Sequence, residues 1–246
     1  LNPRLPFWIA AGLCGLNTLY GLLVLPESLP PERRLARFTW RRANPLESLS
    51  LLRSNGDLLP LAGLYFLFQL AQQVLPNVFV LYTTLRYGWS LAFLGVTFFI
   101  TGALGILVQS FVVAPVVHRG GERGAVIWGA FAGVVGFVIY ALAPSGWIYF
   151  VGMPVFAFMS LMQPGLQGLM TRYVSGSEQG RLQGANQSMG GIAAILGPTI
   201  FPLTFAWALR QLPSWPGLPI LIAAALLGLA LPLSLKFARP PTSAVA

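Results

Sequence analysis

Acid is what this chain has least of. Its 246 residues include only 6 aspartates and glutamates, 1 histidine and 1 cysteine. A single cysteine rules out an internal disulfide, and Cys14 sits inside an apolar run, where it reads as a small packing residue. There is no C-x-x-C, no H-E-x-x-H and no phosphate-binding loop, and no serine or threonine stands beside a base. No enzyme, metal or cofactor is therefore expected. Charged residues make up 9% of the chain, where soluble domains carry about 25%. A water-facing globule is excluded. The net charge of +9 would point to nucleic acid in a soluble protein. Here no aromatic-basic platform lies outside the apolar stretches, so nucleic acid is not an expected partner.

What fills the space is hydrocarbon. Seven apolar segments occupy roughly residues 6–25, 58–80, 91–113, 124–143, 147–171, 186–208 and 217–236. A bilayer core about 30 Å thick takes about 20 helical residues to cross. Backbone groups cannot go unpaired in lipid, so each segment is a helix or a barrel strand. Barrel strands alternate over about 10 residues, whereas these runs are longer and continuous. The expected fold is an all-α membrane protein of seven transmembrane helices.

The basic residues orient it. With the N-terminus outside, 3 of the 15 arginines and lysines fall outside (Arg4, Arg86, Arg210) and the other 12 inside. The positive-inside rule therefore reads the N-terminus as external and the C-terminus as cytosolic. Trp89, Trp147, Tyr149 and Trp215 lie near the outer ends and are expected to form an interfacial belt. Residues 26–57 hold Pro30-Pro31 and the densest charge, and read as a cytosolic linker. One helix (1–25) precedes that linker and six tightly connected helices (58–246) follow it. The chain opens on Leu1 without a basic leader, so it reads as a piece of a longer protein.

Charge inside the membrane usually marks an ion pathway. Asp57, Glu178, His118 and Lys236 all fall at segment edges, which leaves no proton carrier within the six later helices. Asp57 reads as a helix N-cap or interface anchor. Neutral amides are the better signal. Gln69, Gln73 and Asn77 recur at i, i+4, i+8 and share one helix face. Buried amides cost free energy unless bonded, so this face turns either to a wet cavity or to a neighbouring helix. Gln109, Gln163 and Gln167 are further candidates for the same cavity, with Asn17 in the first helix a weaker one. Phe66, Phe68, Phe98, Phe99 and Phe158 offer stacking faces. Gly129, Gly133 and Gly136 form a small-residue stripe suited to close helix packing. Gly197-Pro198 breaks an apolar helix and reads as either a hinge or a static kink.

The loop Ala114-Pro115-Val116-Val117-His118-Arg119-Gly120-Gly121-Glu122-Arg123 reads as a helix end and tight turn, its arginines placed to bond helix C-terminal carbonyls. Its Arg119, Gly121 and Arg123 match a G-x-x-x-D-R-x-G-R-R signature, with Ala114 and His118 replacing the glycine and the acid. In this the chain resembles the major facilitator superfamily. It is most similar there to the tetracycline-resistance-type drug/proton antiporters. Gly15-Leu16-Asn17, Leu25-Pro26-Glu27-Ser28, Asn44-Pro45-Leu46, Gln69…Gln73, Pro164-Gly165-Leu166-Gln167, Gln179-Gly180-Arg181-Leu182-Gln183-Gly184 and Gly197-Pro198 carry the likeness in family order. The resemblance implies helices six to twelve of a twelve-helix exporter in the bacterial inner membrane, with the first five helices on another part of the protein. It implies a small amphipathic substrate, protons as coupling ion, and export by alternating access. The chain alone would then hold one wall of the site and not transport. Two positions depart from the pattern: Gly133 falls where tetracycline exporters carry an acid, and Gly105 where they carry a histidine. The competing readings are a non-transporting truncated membrane protein and a seven-helix receptor. Lys236 sits too near the last helix's end to hold retinal.

Overall fold

A computed structural model describes residues 4–25, 49–52 and 56–238. The chain divides into two compact units, Leu1–Phe38 and Thr39–Ala246. In the first unit, α1 (Leu5–Leu23) is an apolar helix begun by a proline in its first turn. Its side chains are exposed, and Thr18 returns its hydroxyl to the carbonyl of Cys14 at 2.9 Å. Residues 26–48, which include the arginine-rich part of the expected linker, lie outside the described residues.

The described residues of the second unit form helices joined by short turns. It contains α2 (Leu58–Gln72), α3 (Val74–Tyr87), α4 (Leu91–Leu107), α5 (Val113–Leu142), α6 (Gly146–Ala157), α7 (Met162–Thr171), α8 (Gln179–Gln211) and α9 (Leu218–Phe237). Several of these join end to end. Helix α2 runs into α3 through Gln73, giving a stretch of 30 residues. A π-helical turn, Val108–Val112, links α4 to α5, and a 3-10 turn, Phe158–Leu161, links α6 to α7.

Five stretches are long and apolar enough to cross a membrane, and one of them, Leu91–Leu142, is 52 residues long. At about 1.5 Å per residue it would overshoot a single crossing more than twofold. It folds back on itself. Ser90 caps its first turn, accepting from Phe93 N–H at 3.3 Å. At its far end the Ala143 carbonyl accepts from Arg86 Nε and from the Tyr87 hydroxyl, each at 2.9 Å. Start and finish therefore lie at one end of the molecule. The reversal is at Gly121, with φ 67° and ψ 176° in the middle of α5. Only glycine takes that conformation without strain. The helix persists to Gly120, so the turn expected from Ala114 onward is confined to Gly121. The stretch supplies two of the expected crossings.

The other irregular turns have proline causes. Pro115 has no N–H for the carbonyl of Phe111, and its ring crowds that carbonyl. The backbone just before it widens to π geometry, with Val113 N–H bonded to the Val108 carbonyl. Pro154 and Pro164 flank the 3-10 turn, and Pro164 has no N–H for the carbonyl of Ser160. Val108 of the π turn and Leu161 of the 3-10 turn meet in one small buried apolar cluster.

The glycine stripe is packed as closely as expected. A Cβ on Gly129 would fall 2.8 Å from the Met162 backbone nitrogen. One on Gly136 would fall 2.8 Å from Phe156 Cα, and one on Gly133 2.6 Å from Leu227 Cδ1. These contacts seat α5 against α6, α7 and α9.

Each end of the bundle is tied. At one end, the Tyr82 hydroxyl donates to the Tyr140 and Ala141 carbonyls at 2.8 and 3.2 Å. With Arg86 and Tyr87 it covers the carbonyls that α5 leaves unpaired at its C-terminus. At the other, Arg123 Nη2 donates to the Leu235 carbonyl in the last turn of α9 at 2.8 Å. Arg172 pairs there with Glu122, its Nε at 3.2 Å. The expected aromatic belt holds only in part. Trp147 and Trp215 are exposed, but Tyr149 is buried to 2% exposure and stacks on Tyr140 with centroids 4.0 Å apart. It is a packing residue because its ring faces inward from α6.

Gly129→Ala is expected to cost about 1–3 kcal/mol by overpacking and to lower the thermal midpoint of the detergent-purified chain. Gly63→Ala, with nothing within 4 Å of its Cβ, leaves that midpoint unchanged or raises it slightly, alanine being the better helix former. Equal effects at the two positions would contradict the packing assigned to α5.

Candidate functional site

A cavity of about 410 Å³ opens between α2, α4, the π turn, the 3-10 turn and α7. Its polar wall is Gln72, Thr101, Gln109, Ser160, Gln163 and Gln167. Gly105 opens the α4 side, with nothing within 4 Å of a Cβ placed there. The two irregular turns position this wall. Gln109 lies in the π turn, and Ser160 lies in the 3-10 turn. Non-helical backbone at membrane depth is tolerated where it lines a cavity. The Ser160 and Thr101 hydroxyls donate to the Ala157 and Thr97 carbonyls at 2.7 and 2.9 Å. The Gln167 side chain is hydrogen-bonded to the Tyr65 hydroxyl. Among the described residues no charged side chain lines the cavity. The wall offers neutral donors and acceptors only.

Three of the amides expected from sequence, Gln109, Gln163 and Gln167, thus share one cavity. The other three, Gln69, Gln73 and Asn77, do share a helix face, but that face meets α8. A Cβ on Gly190 would lie 3.0 Å from the Gln69 amide nitrogen. A Cβ on Gly197 would run into the Gln73 side chain and lie 3.5 Å from Asn77 Nδ2. Asn77 also donates to the Gln73 carbonyl at 2.7 Å. Glycine in α8 thus makes room for amides of α2 and α3. Pro198 lies inside α8 beside this seam. Arg119 is exposed, and Gly121 and Arg123 form the reversal and tie described above.

Sequence reasoning missed Gln72, which stands one residue off the i, i+4 series and so turns about 100° away from it to line the cavity. It also missed Asn186, fully buried in α8, whose carboxamide oxygen and nitrogen find no partner among the described residues. Of the proposed stacking rings, Phe68 is core and Phe99 is exposed. Phe98 lines a second, aromatic chamber of about 330 Å³ with Phe79, Tyr140, Tyr149 and Phe156. Among the described residues no cluster of three or more His, Cys, Asp or Glu side chains stands ready for a metal.

A family model described as Major Facilitator Superfamily matches residues 1–198. The chain is similar to the tetracycline resistance protein, class C, of Escherichia coli, being 34% identical over 92% of this chain and 56% of that protein. It is 29% identical to the class D protein of Salmonella ordonez, over 98% of this chain and 59% of that one. Among solved structures it resembles the human organic anion transporter MFSD10 (TETRAN), with a TM-score of 0.77 and 24% identity over 92% of this chain and 56% of that one. That likeness concerns the fold. The chain spans somewhat over half the length of these relatives. It is an integral membrane protein, and it belongs to the Major Facilitator Superfamily.

Proposed function

We propose that this chain forms one wall of a secondary transporter that exports small amphipathic compounds in exchange for protons. One observation carries the reading: an uncharged, amide-lined cavity lies where two membrane-crossing stretches are interrupted by the π turn and the 3-10 turn. Midplane sites built on interrupted helices suit alternating access. The resistance-protein relatives support export as the direction. Residues 1–25 are assigned to the last helix of one half, 26–57 to a cytosolic connection, and 58–246 to the other half. Gln109, Gln163 and Gln167 are the substrate-facing residues, while Gln69, Gln73 and Asn77 face α8 and act through its position. The end bearing Arg119, Arg123, Arg172, Arg181 and Lys236 is placed in the cytosol of a bacterial inner membrane, which puts the N-terminus outside. Protons are carried elsewhere in the transporter, because the cavity wall holds no titratable side chain. Tetracycline itself is a poor cargo for this wall. Gly133 is packed against Leu227 and Met159, and an acidic side chain there would have to displace both.

The test is a chimera that joins this chain to the part of the class C resistance protein it does not match. Everted vesicles carrying it are expected to accumulate an amphipathic dye in a manner abolished by a protonophore. Gln109→Leu and Gln163→Leu should each reduce uptake about fivefold, the worth of one neutral hydrogen bond. Uptake that ignores the protonophore would refute proton exchange, and uptake untouched by both substitutions would refute this cavity as the site.

A second prediction concerns Pro198. As a hinge in α8, it is expected to govern turnover and not affinity. Pro198→Ala in the chimera should slow dye flux severalfold at unchanged half-saturation. Unchanged flux would reduce Pro198 to a static kink.

A further inference from the structure

The amide cavity and the aromatic chamber are neighbours. Both are walled by Thr101 and Phe156. On one side of that pair stand four glutamines and a serine. On the other stand Phe79, Phe98, Tyr140 and Tyr149, closed by Leu75 and Pro76. The chamber's rings are locked by mutual contact. Tyr140 and Tyr149 stack with only 8° between their planes, and Phe79 meets Phe98 with centroids 5.1 Å apart. An apolar cavity of about 150 Å³ is enough to hold benzene, so a chamber of about 330 Å³ has room for a two-ring system. Ring edges and faces set at these angles favour offset or edge-to-face partners over aliphatic ones.

The amide side has the opposite chemistry. Each glutamine offers both a carbonyl acceptor and NH₂ donors. Among the described residues no arginine, lysine, aspartate or glutamate lines either space. An ionised group would lose its hydration at this wall and gain no counter-charge.

We propose that the two spaces form one divided ligand site, which takes a fused aromatic ring bearing a neutral hydrogen-bonding edge. The ring lies in the aromatic chamber, the edge reaches the glutamines, and Phe156 is the partition that sets their separation. This deepens the export reading and rests on it for the direction of transport, but ligand binding to the wall stands without it.

The full chain, purified in detergent, tests the proposal with three probes that share a naphthalene ring. Dansylamide carries a neutral sulfonamide edge, dansylic acid a sulfonate, and 1-dimethylaminonaphthalene neither. The chain holds 7 tryptophans, and Trp89 lies 6.4 Å from Phe79 of the chamber, so the part of the tryptophan-sensitised emission that saturates with probe and falls in Trp89→Phe reports ligand held there, above the linear background of micelle partition. Dansylamide is expected to bind at least tenfold more tightly than dansylic acid. Gln163→Leu should weaken dansylamide about fivefold and leave dimethylaminonaphthalene unchanged. Phe98→Ala should weaken both about fivefold. Phe98 is half-exposed, so its truncation does not open the core, and an unchanged thermal midpoint checks this. Equal binding of the sulfonate, equal loss of both neutral probes in Gln163→Leu, or indifference of both to Phe98→Ala would each overturn the divided site. Absence of any sensitised binding would overturn it too, while the protonophore-sensitive dye flux of the chimera would still decide export separately.

Discussion

Lipid offers no hydrogen bonds, and every backbone group in this chain has to be satisfied without it. That constraint explains more of the molecule than any single contact. Helices dominate because each closes its own backbone. Their ends are then the weak points, and the bundle spends its few polar side chains there. Tyr82, Arg86 and Tyr87 cover the carbonyls at the end of α5, and Arg123 covers one at the end of α9. Where the helices do break, at the π turn and the 3-10 turn, proline is the cause and a cavity is the setting.

The same logic separates structure from site. Small residues stand where backbones approach, so α5 with Gly129, Gly133 and Gly136 is scaffold, buried against its neighbours. Gly105 is the opposite case, a glycine facing open space in the cavity wall. The two positions at which the chain departs from tetracycline exporters therefore differ in consequence. A side chain at Gly105 would enter the cavity, whereas one at Gly133 would collide with Leu227 and Met159.

The amides show how a helical pattern fixes a face and leaves its neighbour undecided. Helical spacing placed Gln69, Gln73 and Asn77 on one face, and they are on one face. Periodicity says nothing about which helix or cavity that face meets. It meets the glycines of α8, while Gln72, a step around the helix, meets the cavity. Tyr149 failed similarly. An aromatic near a helix end fits the interface by depth, yet its direction is set by packing, and it turns inward onto Tyr140.

The apolar runs, the edge placement of charge, the glycine stripe, a reversal within Ala114–Arg123 and the family likeness were all legible in the residues alone. They depend on local rules, namely hydrocarbon thickness, backbone pairing and the steric freedom of glycine. Which polar side chains share a cavity, that the aromatic chamber adjoins it across Thr101 and Phe156, and that Asn186 is buried without a partner were decided only by the tertiary structure. Those facts depend on how far each helix is rotated about its axis. In an apolar bundle that rotation is set by close packing between distant segments, which no local pattern encodes.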